Sequence, residues 1–486
     1  MNFTMPIFSV ALPEIFVLCM ASMILLVDVF LSERFRIVTY LLVQVTLIGA
    51  FIFAATQYHA YSTPVITFSG NYVVDKLALL TKMFVFVVSF FAFTYALPYI
   101  KERHIERGEY YVLGLFAVLG MQVMASAYTL LTIYLGLELL SLSLYAMVAL
   151  QKDSRLATEA AMKYFITGAL ASGFLLYGIS MVYGVSGKIG IYEIANFLPY
   201  ASHSQQMIVL LGLVFILSGL VFKFGAVPFH MWVPDVYQGA PTCVTLFIAS
   251  APKVAAFCIT MRILVEGMLS LTVEWQQMLV VIAVLSMFFG NILAIAQTNI
   301  KRMLAYSSIA HIGYMLLGII AGPGSAEGYS AAMFYVATYV IVAAGAFAII
   351  GLLSHTGMEF DELEDYRGLN ARNPWLAFMM LLLMFSMAGL PPTVGFFAKL
   401  GLLEALVEAH YVWLAALALL FAIIGAYYYL RIVMLMYFEE PKEEFVGTRL
   451  SISPGMLATV TVNSVAALGL GLLPSTFIDM CRISVG

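Results

Sequence analysis

The sequence has 486 residues, 63% of them hydrophobic and 10% charged, and its mean hydropathy is +0.99. That composition excludes a soluble domain and leaves an integral membrane protein, whose net charge of −4 says less than where its charges stand. Four dispersed cysteines, Cys19, Cys243, Cys258 and Cys481, lack the spacing of a zinc, iron–sulfur or disulfide framework.

The first apolar run, about residues 9–30, has no basic residue before it and no small-residue cleavage site after it, so it is expected to stay as a transmembrane helix. At about 20 residues per crossing, further helices are expected near 37–57, 77–99, 111–129, 130–149, 160–184, 206–226, 242–265, 277–297, 303–321, 329–353, 375–397, 411–436 and 454–473, fourteen in all. No polar stretch is long enough for a separate soluble domain. The expected fold is an all-α polytopic membrane protein, one membrane domain over residues 1–486.

Charge parity orients the crossings. Loops after odd-numbered helices carry Arg34, Arg36, Lys101, Arg103, Arg107, Lys152, Arg155, Lys301, Arg302, Arg367, Arg372, Lys442 and Arg449; the other side carries only Lys188 and Arg482. Thirteen against two is a positive-inside signal. It holds only if residues 111–149, whose single charge is Glu138, cross twice. Both termini are therefore expected on the non-cytoplasmic side. The loop after the seventh helix has no basic residue.

Eight cations remain in or near the crossings: Lys76, Lys82, Lys163, Lys223, Lys253, Arg262, Lys399 and Arg431. An intramembrane cation costs roughly 2.5–3.5 kcal/mol on insertion scales, so each needs a reason. Lys76, Lys82, Arg262 and Arg431 stand near helix ends, where snorkelling or a structural role suffices. Lys223, Lys253 and Lys399 stand deeper and read as functional. Glu138, in "YLGLELLSLSLY", is the buried acid that would partner a lysine, and moving such a pair apart and together would load and unload a proton. Lys163 would tune that pair or snorkel. Glu14, Asp28, Glu404 and Glu408 read as structural acids near helix ends. Of the histidines, His311 and His230 read as buried, whereas His59, His104, His203, His355 and His410 fall near helix ends or in loops, a weak basis for haem.

Proline accompanies two of the three deep lysines. Pro228 follows Lys223 by five residues, and Pro391 and Pro392 precede Lys399 by eight and seven. Proline removes a backbone donor and clashes with the preceding turn. Unsatisfied backbone at membrane depth is tolerated where it lines a wet cavity or is buried in protein, and broken helices of this kind mark ion pathways. His230, just beyond Pro228, is a relay candidate or a packing residue. Helices 7 and 12 are an odd number of crossings apart, so an internal repeat relating them would have to be inverted in the membrane, although the order of lysine and proline differs between the two.

The motifs "FKFGAVPFHMWVPDVYQGAPTCVTLFIASAPK", "YLGLELLSLSLYAMVAL", "QTNIKRMLAYSSIAHIGYMLLG", "DYRGL" and "MAGLPPTVGFFAKL" resemble the antiporter-like membrane subunits of respiratory complex I, the NADH-quinone oxidoreductase of bacteria, across essentially all fourteen helices. Within that family, subunit M typically has glutamate where Lys399 stands, and subunit L carries a long C-terminal lateral helix not expected here. The resemblance implies two inverted five-helix repeats with broken helices 7 and 12. They would divide the chain into helices 1–3 (1–108), a first repeat (109–270), a second repeat (271–440) and a C-terminal helix (441–486). It further implies that Glu138, Lys223, Lys253 and Lys399 form a proton relay, with His311 between the central and distal lysines. Flavin, iron–sulfur clusters and NADH would belong to partner subunits and no cofactor to this chain. Expected partners are the neighbouring antiporter-like subunit, the small membrane subunits and the lipid of the inner membrane; no nucleic acid is expected. The rival reading is a subunit of a multisubunit sodium/proton antiporter, which shares the same lysines and glutamate.

Overall fold

The computed structural model describes residues 5–32, 35–103, 105, 108–354, 359–443 and 452–485. Arg34, His104, Arg107, His355 and Arg449 lie outside the described residues. In hydrocarbon every backbone N–H and C=O must be satisfied within the chain, so a sequence this apolar forms helices.

In chain order these are α1 (Leu12–Phe30), α2 (Ile37–Ala60), α3 (Lys76–Glu102), α4 (Gly108–Ser126), α5 (Leu130–Val148), α6 (Arg155–Ser186), the short α7 (Ile191–Phe197) and α8 (His203–Phe224). Then follow α9 (Trp232–Gly239), α10 (Thr242–Ala249), α11 (Ala251–Thr260), α12 (Thr272–Ile295), α13 (Ile300–Ala321), α14 (Gly328–Leu353), α15 (Leu369–Arg372), α16 (Pro374–Ala388), α17 (Val394–Glu408), α18 (Val412–Phe438), α19 (Pro454–Leu472) and α20 (Ser475–Val485). The expected helices are met by a small addition: strands β1 (Val65–Thr67) and β2 (Tyr72–Val74) pair antiparallel before α3.

Side chains set several helix starts. Thr129, Ser154, Asn299 and Asn373 each accept a hydrogen bond from the backbone N–H three residues on, satisfying a donor that the first helical turn leaves open. Among the described residues, thirteen helical stretches are long and apolar enough to cross a membrane. The expected twelfth crossing is instead two 15-residue helices, α16 and α17.

The chain divides into two compact units that interleave along the sequence. The first comprises Met1–Phe90, Glu106–Phe224 and Ala251–Leu279. Here two of the cations expected near helix ends, Lys82 and Arg262, are ion-paired. Lys82, fully buried, lies 2.6 Å from Glu14, and both bond the Tyr72 hydroxyl, which donates to Glu14 at 2.8 Å and accepts from Lys82 at 3.0 Å. Arg262 grips Asp75 through two bonds of 2.6 and 2.7 Å and reaches Glu266 at 2.6 Å. Burial opposes ionisation of Asp75, but the guanidinium beside it outweighs that effect and holds the carboxyl below its usual range.

The second unit comprises Phe91–Ile105, Gly225–Ser250 and Val280–Gly486. Its centre is α13 and α14, whose residues are almost all buried. Lys301 and Arg302, counted from sequence as loop cations, open α13 and are held there. Lys301 is buried and lies 3.0 Å from Asp361, while Arg302 donates to Asp235 at 2.8 Å and Gln238 at 3.1 Å. The acid in the loop without basic residues is thus matched by a cation from another element.

Candidate functional site

Both expected breaks occur, and they share one local backbone. After α8, Gly225 takes a left-handed conformation (φ +75°) and a cis peptide joins Val227 to Pro228; after α16, Gly389 does the same (φ +82°) and a cis peptide joins Pro391 to Pro392. In each case the glycine precedes the cis proline by three residues. The Gly389 N–H bonds the carbonyls of Phe385 and Ser386, and the Leu390 N–H bonds that of Phe385, so the last turn of α16 closes on itself before the chain turns. At the other break the Val227 N–H donates to Ser286 on α12 at 3.0 Å.

Lys223 sits in the last turn of α8, buried at 9% exposure. Its expected partner was Glu138. The direct contact is instead with Ser141, one turn further along α5: the ammonium donates to Ser141 Oγ at 2.6 Å, and that hydroxyl donates to the Leu137 carbonyl at 2.6 Å. Glu138 lies within Coulombic reach of Lys223, and its Oε1 is buried with no hydrogen-bond partner among the described residues. A lysine that moved from Ser141 to that carboxylate would convert a neutral contact into an ion pair. Lys163 stands apart on the half-exposed face of α6, 2.9 Å from Glu159.

Lys253 is buried at 4% exposure in the first turn of α11. The eighth crossing is interrupted directly before it: α10 stops at Ala249 and Ser250 is non-helical (φ −116°, ψ −96°). Pro252, which needs no donor in a first turn, restarts the helix. This third break was missed in the sequence, although "ASAPK" carries its signal. Further along the same crossing, Met261–Gly267 is a π-helical turn, where Arg262 makes its ion pairs.

Lys399, half-buried on α17, donates to the carbonyls of Met387 and Ala388 at 3.0 and 2.9 Å. These are the last residues of α16, where the carbonyl end of the helix dipole favours a cation. The ammonium also lies 5.3 Å from the centre of the Tyr314 ring.

His311, on α13, lines a small cavity together with Lys399. Its Nδ1 is 2.7 Å from the Tyr335 hydroxyl and its Nε2 2.9 Å from that of Tyr429, so one ring links two hydroxyls. Tyr429 continues to Ser307 and to Tyr428, which donates to Asn291 at 3.1 Å. Such a chain of ring nitrogens and hydroxyls can pass a proton by exchanging donor and acceptor roles. His230 lies in the first break, half-buried, its Nδ1 without a partner among the described residues. Among those residues no three His, Cys, Asp or Glu side chains gather to hold a metal ion.

Residues 127–425 match the family described as "NADH:quinone oxidoreductase/Mrp antiporter, TM". A relative named NADH-quinone oxidoreductase subunit N from Thiobacillus denitrificans is 53% identical over 481 residues, covering 99% of this chain and 98% of the relative. A chain of respiratory complex I from Thermus thermophilus is 31% identical and superposes with a TM-score of 0.82, covering 97% of this chain and 100% of that one. A chain of the Mrp complex from Dietzia, 20% identical, shares the fold with a TM-score of 0.86 over 99% of this chain and 97% of its own. The chain belongs to the NADH:quinone oxidoreductase/Mrp antiporter membrane family and, within it, to the subunit N proteins.

Proposed function

We propose that this chain is a proton-translocating membrane subunit of a bacterial NADH-quinone oxidoreductase, coupling electron transfer in partner subunits to proton pumping. The observation that carries this reading is the arrangement at Lys399. A broken helix, a lysine held on the freed carbonyls and a histidine–tyrosine chain meet around one cavity. Protons enter near Lys223, pass to Lys253 and leave by Lys399, with His311 between the last two, His230 and Lys163 as secondary groups, and Glu138 receiving the charge signal from the neighbouring antiporter-like subunit or small membrane subunits. The repeats run over 109–270 and 271–440, and both termini lie on the non-cytoplasmic side of the inner membrane. Flavin and iron–sulfur clusters belong to the partner subunits.

Moving one charge against the membrane potential takes about 2.3 kcal/mol per 100 mV. Breaking or making one buried lysine contact is of that order. Reconstituted complex carrying Lys223→Ala or Lys399→Ala is expected to lose proton pumping while it still oxidises NADH with artificial acceptors. Full pumping by both variants would overturn the relay. The sodium/proton antiporter reading has the Dietzia structure behind it, but there the likeness is one of fold, whereas the subunit N relatives match at about half of all positions along the whole chain.

A further inference from the structure

A broken helix loosens backbone donors and acceptors together, and at membrane depth each needs a partner inside the chain. At the break between α16 and α17, Lys399 takes two of the acceptors, the carbonyls of Met387 and Ala388. The donors lie on the other side, in the first turn of α17. Thr393 stands at the capping position, but its hydroxyl donates to the Leu390 carbonyl at 2.6 Å and caps nothing in α17. The Gly395 N–H donates instead across the break, to Ser386 Oγ of α16 at 3.2 Å, and Ser386 is 2% exposed. Gly395 lets the two halves come this close, because an added Cβ there would overlap the Ser386 carbonyl oxygen. The first break shows the same capture, since the serine that takes the Val227 N–H, Ser286 of α12, is fully buried.

Resting on the relay reading above, we propose that Ser386 is a positioning residue for Lys399: its hydroxyl caps α17 from the far side of the break and so sets where the lysine stands. Gly395 and Lys399 are four residues apart, about one helical turn, so the bonded N–H and the lysine share one face of α17. That face meets three consecutive residues of α16, Ser386 through its hydroxyl and Met387 and Ala388 through their carbonyls. A lysine side chain is long and flexible, and its two carbonyl bonds alone do not fix the start of its helix. The serine bond does, because it ties the backbone of α17 to a short side chain. Without that bond the first turn of α17 is free to rotate or slide, and the ammonium loses its distance to both carbonyls. Ser386 and Gly395 also line the small cavity that His311 and Lys399 share, so the same shift changes how the lysine faces the histidine–tyrosine chain.

The test uses the whole complex, purified for hydrogen exchange and in inside-out membrane vesicles for pumping, in parallel with Lys399→Ala. Ser386→Ala is expected to assemble, to speed deuterium uptake at the Gly395 amide severalfold, and to lower the protons pumped per NADH oxidised severalfold, with NADH oxidation by artificial acceptors unchanged. Ser386→Thr, which keeps the hydroxyl, should restore slow exchange and most of the pumping. Thr393→Val should leave exchange at Gly395 at the parental rate; faster exchange there, with Ser386→Ala unchanged, would make the threonine the cap and overturn the proposal. A serine that only supports the fold would lower the amount of assembled complex and leave pumping per assembled complex at the parental level. That result, a failure of Ser386→Ala to assemble, or parental pumping by Ser386→Ala beside a Lys399→Ala complex that has lost it, overturns the positioning role and leaves the relay standing. If Lys399→Ala pumps normally, the relay itself is wrong.

Discussion

Lys399 donates to the carbonyl of Ala388 at 2.9 Å, so a lysine on the second half of a broken crossing holds the last residue of the first half. The contact exists because Gly389 leaves room for it. An added Cβ there would lie 2.8 Å from Lys399 Cδ and 3.1 Å from Nζ.

Gly389→Ala is therefore expected to damage pumping through the lysine's position. The left-handed backbone alone costs an L-residue roughly 1–2 kcal/mol, and the methyl group displaces the ammonium from its carbonyls. Proton pumping should fall severalfold relative to NADH oxidation by artificial acceptors. Gly173→Ala, where an added Cβ meets nothing within 4 Å, is the control and should match the parent.

Ser141→Ala removes the acceptor of Lys223. A hydrogen bond to a charged group contributes about 1.5–3 kcal/mol, enough to shift the lysine's resting position by tenfold or more. Pumping measured by dye quenching should drop, and Ser141→Thr, which keeps the hydroxyl, should restore most of it. Equal pumping by both variants would leave Ser141 a packing residue.

Tyr429→Phe cuts the chain at His311 Nε2 without changing ring packing. Pumping is expected to slow, with a solvent deuterium effect larger than the parent's because fewer routes remain for the proton. Tyr428→Phe leaves both bonds of His311 in place and should have the smaller effect.

The Glu14, Lys82 and Tyr72 cluster predicts a contrasting phenotype. Removing one member of a buried ion pair strands the other at a cost of about 3–5 kcal/mol, whereas replacing both with apolar residues is often neutral. Glu14→Leu alone should lower the amount of assembled complex and its thermal stability. Glu14→Leu with Lys82→Met should recover both, and pumping per assembled complex should stay at the parental level throughout. A loss of specific pumping in the double variant would move this cluster into the proton path.

Sequence and structure agree most closely where the physics is one-dimensional. Span number, helix type and the three deep lysines were legible because hydrocarbon thickness sets helix length and because an intramembrane charge is costly wherever it stands. The breaks at Pro228 and at Pro391 and Pro392 were legible for the same reason, since proline acts on its own helix. The break before Lys253 was missed although Pro252 signals it in the sequence, and the φ and ψ of Ser250 show where the helix is interrupted.

What the sequence by itself determined is thus a membrane chain with buried cations at interrupted helices. What only the tertiary structure decided is which groups those cations meet. Ser141 and not Glu138 accepts from Lys223, Ala388 and Met387 hold Lys399, Tyr335 and Tyr429 flank His311, and Lys82 and Arg262 find the acids Glu14 and Asp75. These partners lie 11 to more than 180 positions apart in the chain. Hydropathy and helical period report only neighbours within a few turns, whereas a hydrogen bond about 3 Å long is set by how whole helices pack.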